Sequence, residues 1–183
     1  MRIIAGKFRG RRLSNFKADH IRPTTDRIKE SIFNRLQTDI DGARVLDLFS
    51  GTGNLTCEAI SRGAATVDAV ELNRKSIEII RKNLQLLEID QLVTVHQKDV
   101  LKYLNAYQGE PFDIILIDPP FTEQLADSVL LELGKSEVMG ANTVAVIESS
   151  SHEFLGEVYE GLEKVAERDY GDKRVTYWKE KNV

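Results

Sequence analysis

The sequence predicts an α/β chain built on a doubly wound, mostly parallel sheet of seven strands, with a small N-terminal β-hairpin arm. Three observations carry this. From residue 43 onward, short apolar runs alternate with stretches of helical periodicity, the pattern of repeated β-α-β units. The apolar runs are continuous, as in strands covered on both faces, rather than alternating. Several of them stop at a glycine, a proline or an acid, where the carboxyl edge of an open sheet meets its ligands.

Taken in order, "RIIAGKFRGRRL" (2–13) reads as the arm. "TTDRIKESIFNRL" (24–36) reads as a helix capped by Thr24 or Thr25, with Ile28, Ile32, Phe33 and Leu36 facing inward. "ARVLDLF" (43–49) is the first strand, "LTCEAISRG" (55–63) a short helix closed by Gly63, and "TVDAVEL" (66–72) the second strand. "RKSIEIIRKNLQLL" (74–87) places Ile77, Ile80, Leu84 and Leu87 on one stripe of a helix. "LVTVHQ" (92–97) is a third strand, followed by a helix through Val100, Leu101 and Leu104; "DIILI" (113–117) is the fourth. Residues 122–133 read as helical, and "TVAVIE" (143–148) is a fifth strand. "KVAERDYG" and "KRVTYWKE" around Gly171-Asp172 make an antiparallel hairpin.

Length, composition and charge narrow the function. A chain of 183 residues with 42% apolar and 30% charged content suits one folded domain with a small appendage. The chain is expected to divide into a basic arm, 1–23, and a main domain, 24–183. No apolar run approaches the length of a membrane helix, and "MRIIAGKFRGRR" has no secretory apolar region, so a cytoplasmic location is expected. Cys57 is the only cysteine and histidines number three, which excludes an internal disulfide and makes a metal centre unexpected. The net charge of −4 conceals an asymmetry. Residues 1–35 hold ten Lys/Arg against three acids, net +7, and the remainder holds 15 against 26, net −11. Such a distribution predicts a polyanion-binding arm on an acidic body.

Two segments carry chemistry. "VLDLFSGTGNLT" (45–56) puts glycines between a strand and a helix, where backbone N–H groups can approach a ligand. The dinucleotide fingerprint wants a third glycine or alanine three residues after the second; Thr56 stands there, and no P-loop lysine follows. Asp47 is placed to meet a positive group, Glu71 ends the second strand where a carboxylate can accept two ribose hydroxyls, and Asp99 follows the third strand. A nucleoside with a charged amino-acid tail suits all three acids, and S-adenosylmethionine is such a molecule. In "DIILIDPPF" (113–121) the strand must stop at Asp118, because Pro119 and Pro120 donate no hydrogen bonds and stiffen the loop.

The glycine loop, the strand-end acids and Asp-Pro-Pro-Phe together resemble the class I, Rossmann-like methyltransferases that act on exocyclic amines of nucleic-acid bases. "RIIAGKFRGRRL", "RPTTDRIKESIFN", "LDLFSGTGNLTCEAISRGA", "IDPPF" and "YGDKRVTYW" narrow the resemblance to the bacterial 16S rRNA guanine-N2 methyltransferases, over nearly the whole chain. That resemblance implies methylation of guanine 966 of 16S rRNA in an assembled or assembling small ribosomal subunit, with S-adenosylmethionine as cofactor. It implies that Asp47, Ser50, Gly51 and Gly53 hold the methionine end, Glu71 the ribose, and Asp99 with Val100 the adenine. Asp118, Pro119, Pro120 and Phe121 become the catalytic loop, and "RPTT" (22–25) lies near the cofactor or closes over the site. Arg2, Lys7, Arg9, Arg11, Arg12 and Arg22 are expected to meet rRNA phosphates.

Three rivals share parts of this pattern. A DNA adenine-N6 or cytosine-N4 methyltransferase would need a target-recognition region for which 183 residues leave little room. A catalytically silent RNA-binding assembly factor would be free to lose Asp118 or the glycines. A dinucleotide oxidoreductase is disfavoured by Thr56.

Overall fold

The computed structural model describes residues 1–15, 25–120, 123 and 125–181. Helix α1 spans Asp26–Arg35, and its start follows from Thr25, whose hydroxyl accepts from the Ile28 N–H. Strands β1 (Arg44–Leu48), β2 (Thr66–Glu71), β3 (Val93–Gln97), β4 (Ile114–Ile117) and β5 (Val144–Ser150) alternate with α2 (Asn54–Ser61), α3 (Arg74–Leu87), α4 (Val100–Ala106) and α5 (Ala126–Leu133). A single 3₁₀ turn, Asp90–Leu92, precedes β3. Strands β6 (Val158–Tyr159), β7 (Leu162–Tyr170) and β8 (Lys173–Glu180) complete the chain.

The sheet order is β3-β2-β1-β4-β5-β8-β7-β6, with five parallel strands and an antiparallel flank. Among the described residues the sheet therefore has eight strands, not seven. The extra one, β6, has two residues paired to β7, too short to leave a periodic signal. Alternation along each strand divides the core. Val45, Leu116, Val146 and Val175 face α1, α2 and α3, whereas Leu46, Ile115, Ile147 and Trp178 face α4 and α5. Helix α5 begins at Ala126 rather than at the expected residue 122; Phe121, Thr122 and Gln124 lie outside the described residues, as do residues 16–24.

The expected N-terminal hairpin is looser than a strand pair and more tightly held to the body. Its only bridge joins Arg2 and Arg12, with backbone bonds from Ile3 N to Arg11 O and from Gly10 N to Ile3 O. Ile3 and Leu13 are buried in the core, so apolar burial anchors both limbs. The turn then crosses α2: Lys7 N donates to Ser61 O at 2.8 Å and the Ser61 hydroxyl donates to Ala5 O. Gly6 makes this approach feasible. At φ +83° its missing Cβ would lie 1.8 Å from Ser61 O. Gly6→Ala is expected to push the arm off α2 at a cost of about 1–3 kcal/mol; faster amide exchange at Ile3 and Lys7 checks it, and unchanged exchange there would refute it.

Candidate active site

Strand β1 sits at the centre, with β2 on one side and β4 on the other. The chain order reverses there, which opens a crevice beyond the carboxyl ends of β1 and β4. The loop leaving β1 is sharply folded: Phe49, Gly51 and Gly53 have φ of 61°, 54° and 81°. Phe49 is a bulky residue in the left-handed region, a conformation that persists only where the surroundings impose it. The surroundings here are specific. Ser50 N donates to Val70 O, Gly53 N to Ser50 O, and the Ser50 hydroxyl to Asp47 O at 2.7 Å.

The strand-end acids tie this loop together. Glu71 accepts from Gly51 N at 2.8 Å through one oxygen and from Asn73 N at 2.7 Å through the other. An ionised carboxylate has about four acceptor directions, so Glu71 keeps capacity for further donors. Asp99 caps α4 by accepting from Lys102 N at 3.0 Å, and Val100 is buried just inside that helix. Asp118 N donates to Leu48 O at 3.4 Å, which sets the Asp-Pro-Pro turn beside the glycine loop. Pro119 is buried and Pro120 exposed, and the Pro120 carbonyl accepts from Glu123 N.

The structure thus gathers Asp47, Ser50, Gly51, Gly53, Glu71 and Asp118 at one crevice, with Asp99 and Val100 two and three residues past Gln97, the register partner of Glu71. Phe121 lies outside the described residues. Asp47, expected to meet a positive group, lies below the loop. It is fully buried beneath α2, one oxygen accepting from the Thr56 hydroxyl and the other, Oδ1, without a partner.

Burial raises the Asp47 carboxyl to about 7, a rise to which the Glu71 charge adds and which the Thr56 hydrogen bond opposes. Between about pH 4 and 7 the folded state therefore binds more protons at this site than the unfolded chain, so its contribution to stability falls as pH rises. Asp47→Asn is expected to melt higher than the parent at pH 8, with the advantage shrinking toward pH 5. Thermal melts across that range check the sign; an advantage independent of pH would refute it.

Three buried charged groups carry no distinct signal of their role in the sequence. Glu148, one residue past the partner of Ile117, forms a buried ion pair with Lys173. An acid ending "TVAVIE" was the available signal, of the same kind as Glu71 and Asp118. Lys29 is wholly buried, donating to Arg2 O and to the Asn54 side chain at the start of α2; nothing in its helical position announced it. Among the expected RNA contacts, Lys7, Arg9 and Arg12 are exposed, Arg2 pairs with Asp26 at 2.9 Å, Arg11 donates to Leu86 O, and Arg22 lies outside the described residues. Among the described residues no cluster of His, Cys, Asp and Glu could hold a metal ion, and no helix is long and apolar enough to cross a membrane.

The family model for conserved hypothetical protein 95 matches residues 1–179. The chain belongs to this family. The small-subunit ribosomal RNA methyltransferase D of Haemophilus influenzae is 37% identical over 158 residues, spanning 85% of this chain and 81% of its own. Its Escherichia coli K12 counterpart is 35% identical over 149 residues, spanning 81% and 74%. Among solved structures, an Escherichia coli methyltransferase superposes with a TM-score of 0.88 at 30% identity, covering 98% of this chain and 97% of that one. The family member described here is accordingly a methyltransferase of the class I fold.

Proposed function

We propose that this chain transfers a methyl group from S-adenosylmethionine to the exocyclic N2 amine of a guanine in 16S rRNA of the small ribosomal subunit, in the cytoplasm. The observation that carries the reading is the Asp118–Leu48 backbone contact, which holds an amine-accepting turn against a glycine loop that Glu71 fixes. The names of the relatives supply the ribosomal RNA, and the resemblance to guanine-N2 enzymes supplies the acceptor atom.

The residues present fit the cofactor. Asp47 Oδ1 is a buried acceptor with no donor, as suits a ligand bearing an ammonium group, although Asp47 lies under the loop and braces it through its own carbonyl and Ser50. Gly51 and Gly53 give a backbone without side chains for the methionine end, Glu71 has acceptor capacity for ribose hydroxyls, and Asp99 with Val100 marks the adenine end. When bound, the cofactor supplies a sulfonium-activated methyl group.

The remaining chemistry falls to the chain. A guanine N2 amine is a poor nucleophile because its lone pair is delocalised into the ring. The Asp118 carboxylate and the Pro119 carbonyl accept its two hydrogens, orient the nitrogen and favour localisation of that lone pair. Pro119 and Pro120 keep these acceptors rigid, so little entropy is lost in ordering them at each turnover. Phe121 stacks on the unstacked base, a contact worth about 1–3 kcal/mol. The arm cations position the strand through phosphates.

The test is incubation with methyl-labelled S-adenosylmethionine and, separately, unmodified small subunits, free 16S rRNA and duplex DNA, followed by nucleoside analysis. N2-methylguanosine from subunits or rRNA is the expected product. Label in N6-methyladenine or N4-methylcytosine of DNA, or bound cofactor with no label anywhere, would overturn the reading.

A further inference from the structure

A cavity of the molecule lies away from the glycine loop. It is a groove of about 550 Å³ between α1 and the β7–β8 flank, lined by Arg27, Ser31, Asn34 and Arg35 on one side and by Arg168, Tyr170 and Tyr177 on the other. At about 100° per residue, these α1 positions lie on the flank of the helix opposite Asp26 and Lys29, the residues that hold the arm. No described residue of the arm lines this surface.

Its chemistry is that of a polyanion site. Three guanidinium groups line the groove, Arg27 and Arg35 from the basic first 35 residues and Arg168 from the acidic remainder. Two of them are already set on aromatic rings: Arg35 lies 4.6 Å from the Tyr177 ring centroid and Arg168 lies 5.4 Å from that of Tyr170. A guanidinium held on a ring is ordered in advance and keeps donor edges for phosphate. Two acids, Glu30 and Glu167, also line the groove; Glu167 is occupied by Lys164 at 2.7 Å and Arg174 at 3.4 Å. Ser31, bonded by the Tyr170 hydroxyl, closes the two walls together.

Position favours the substrate strand over any other polyanion. Tyr170 pairs with Lys173, which pairs with Ser150 at the carboxyl end of β5. The groove therefore opens at the same edge of the sheet as the Asp118 turn and runs from there along α1 for about 12 Å between Arg27 and Arg35.

We propose that this groove holds the phosphate backbone of the 16S rRNA strand flanking the target guanine, on Arg27, Arg35 and Arg168. The inference rests on the ribosomal RNA reading above, and gives α1 two RNA-facing flanks, the arm on one side and the groove on the other.

The test is the salt dependence of binding to protein-free 16S rRNA and to unmodified small subunits, for the parent and for Arg27→Gln/Arg35→Gln/Arg168→Gln. Neutralising three contacts to a single strand is expected to lower the slope of log K against log salt by about 2, with at least tenfold weaker binding at low salt. S-adenosylmethionine affinity should be unchanged, which also reports that the variant is folded. Arg168→Gln alone, which leaves the Arg35–Tyr177 stack intact, should lower the slope by about 0.7. An unchanged slope on both RNAs overturns the groove while leaving the proposed function standing. Weakening on subunits but not on protein-free rRNA also overturns it, since the occupant would then be a ribosomal protein. A parent that binds neither RNA would overturn the functional reading, and this inference with it.

Discussion

Asp118→Ala is expected to lower methyl transfer by about 10²–10³-fold or more while leaving S-adenosylmethionine binding nearly unchanged. The loop around it is held by features the substitution does not touch: the backbone bond from residue 118 to Leu48 O, and two successive prolines of which the first is buried. On the proposed function, what is lost is an acceptor preorganised for the amine hydrogens, and losing one preorganised polar contact at a reacting centre costs a factor of that size. Asp118→Asn discriminates further. It preserves size, but it turns one acceptor into a donor facing an amine that itself donates, so it should recover little of the lost activity. Single-turnover label transfer, with cofactor affinity measured by calorimetry, separates the two quantities. Loss of cofactor binding in Asp118→Ala would place the carboxylate in the cofactor site instead.

This site was largely legible in the sequence because its parts are local. A strand, a glycine turn and a helix occur within "VLDLFSGTGNLT", and "DIILIDPPF" ends a strand with prolines that cannot pair. Buried strands and amphipathic helices left equally direct signals, and α3 falls on residues 74–87 as expected. What the sequence concealed depends on contacts between distant segments. Lys29 reads as one more exposed cation of α1, yet its side chain is enclosed by the arm and by α2. Asp47 reads as a strand-end acid placed to meet a positive group, and its full burial under α2, where alternation along β1 sets it, left no signal in the sequence. Asp99 carries a second duty as the cap of α4, which leaves its other oxygen for whatever binds at that edge. The arm reads as a free basic hairpin, because nothing in "RIIAGKFRGRRL" foretells that Glu58, more than fifty residues away, will accept from its backbone. The α1–β7 groove joins residues over a hundred positions apart, and no local pattern could announce it.

The Glu58 cluster joins the arm to α1 and α2, and breaking it is expected to be strongly destabilising. One fully buried carboxylate accepts from Ile4 N at 2.8 Å, Ala5 N at 3.1 Å and Arg62 Nε at 2.8 Å, and pairs with Lys29 Nζ at 3.2 Å. Glu58→Ala leaves the Lys29 ammonium buried with only neutral acceptors, Arg2 O and Asn54 Oδ1. Removing one partner of a buried pair costs about 3–5 kcal/mol, or a melting point lower by about 10 °C in a chain of this size. The charge of Lys29 is the cause, and its pH dependence exposes it. Burial already lowers the Lys29 pKa, against the opposing charge of Glu58; without Glu58 it falls further. In the window between that lowered pKa and the ordinary lysine value, the unfolded chain binds more protons, so stability rises with pH. The Glu58→Ala deficit should therefore shrink between pH 7 and pH 9.5, and Lys29→Met added to Glu58→Gln should recover much of it by removing the charge and keeping an acceptor for the arm. A deficit that is the same at both pH values, or undiminished in the double variant, would assign the cost to the lost arm hydrogen bonds rather than to the stranded ammonium. Either way the arm is released in Glu58→Ala, and because Lys29 also holds Asn54 at the first turn of α2, cofactor affinity should weaken along with RNA affinity. That joint loss distinguishes this cluster from the α1–β7 groove, where RNA binding alone is expected to suffer.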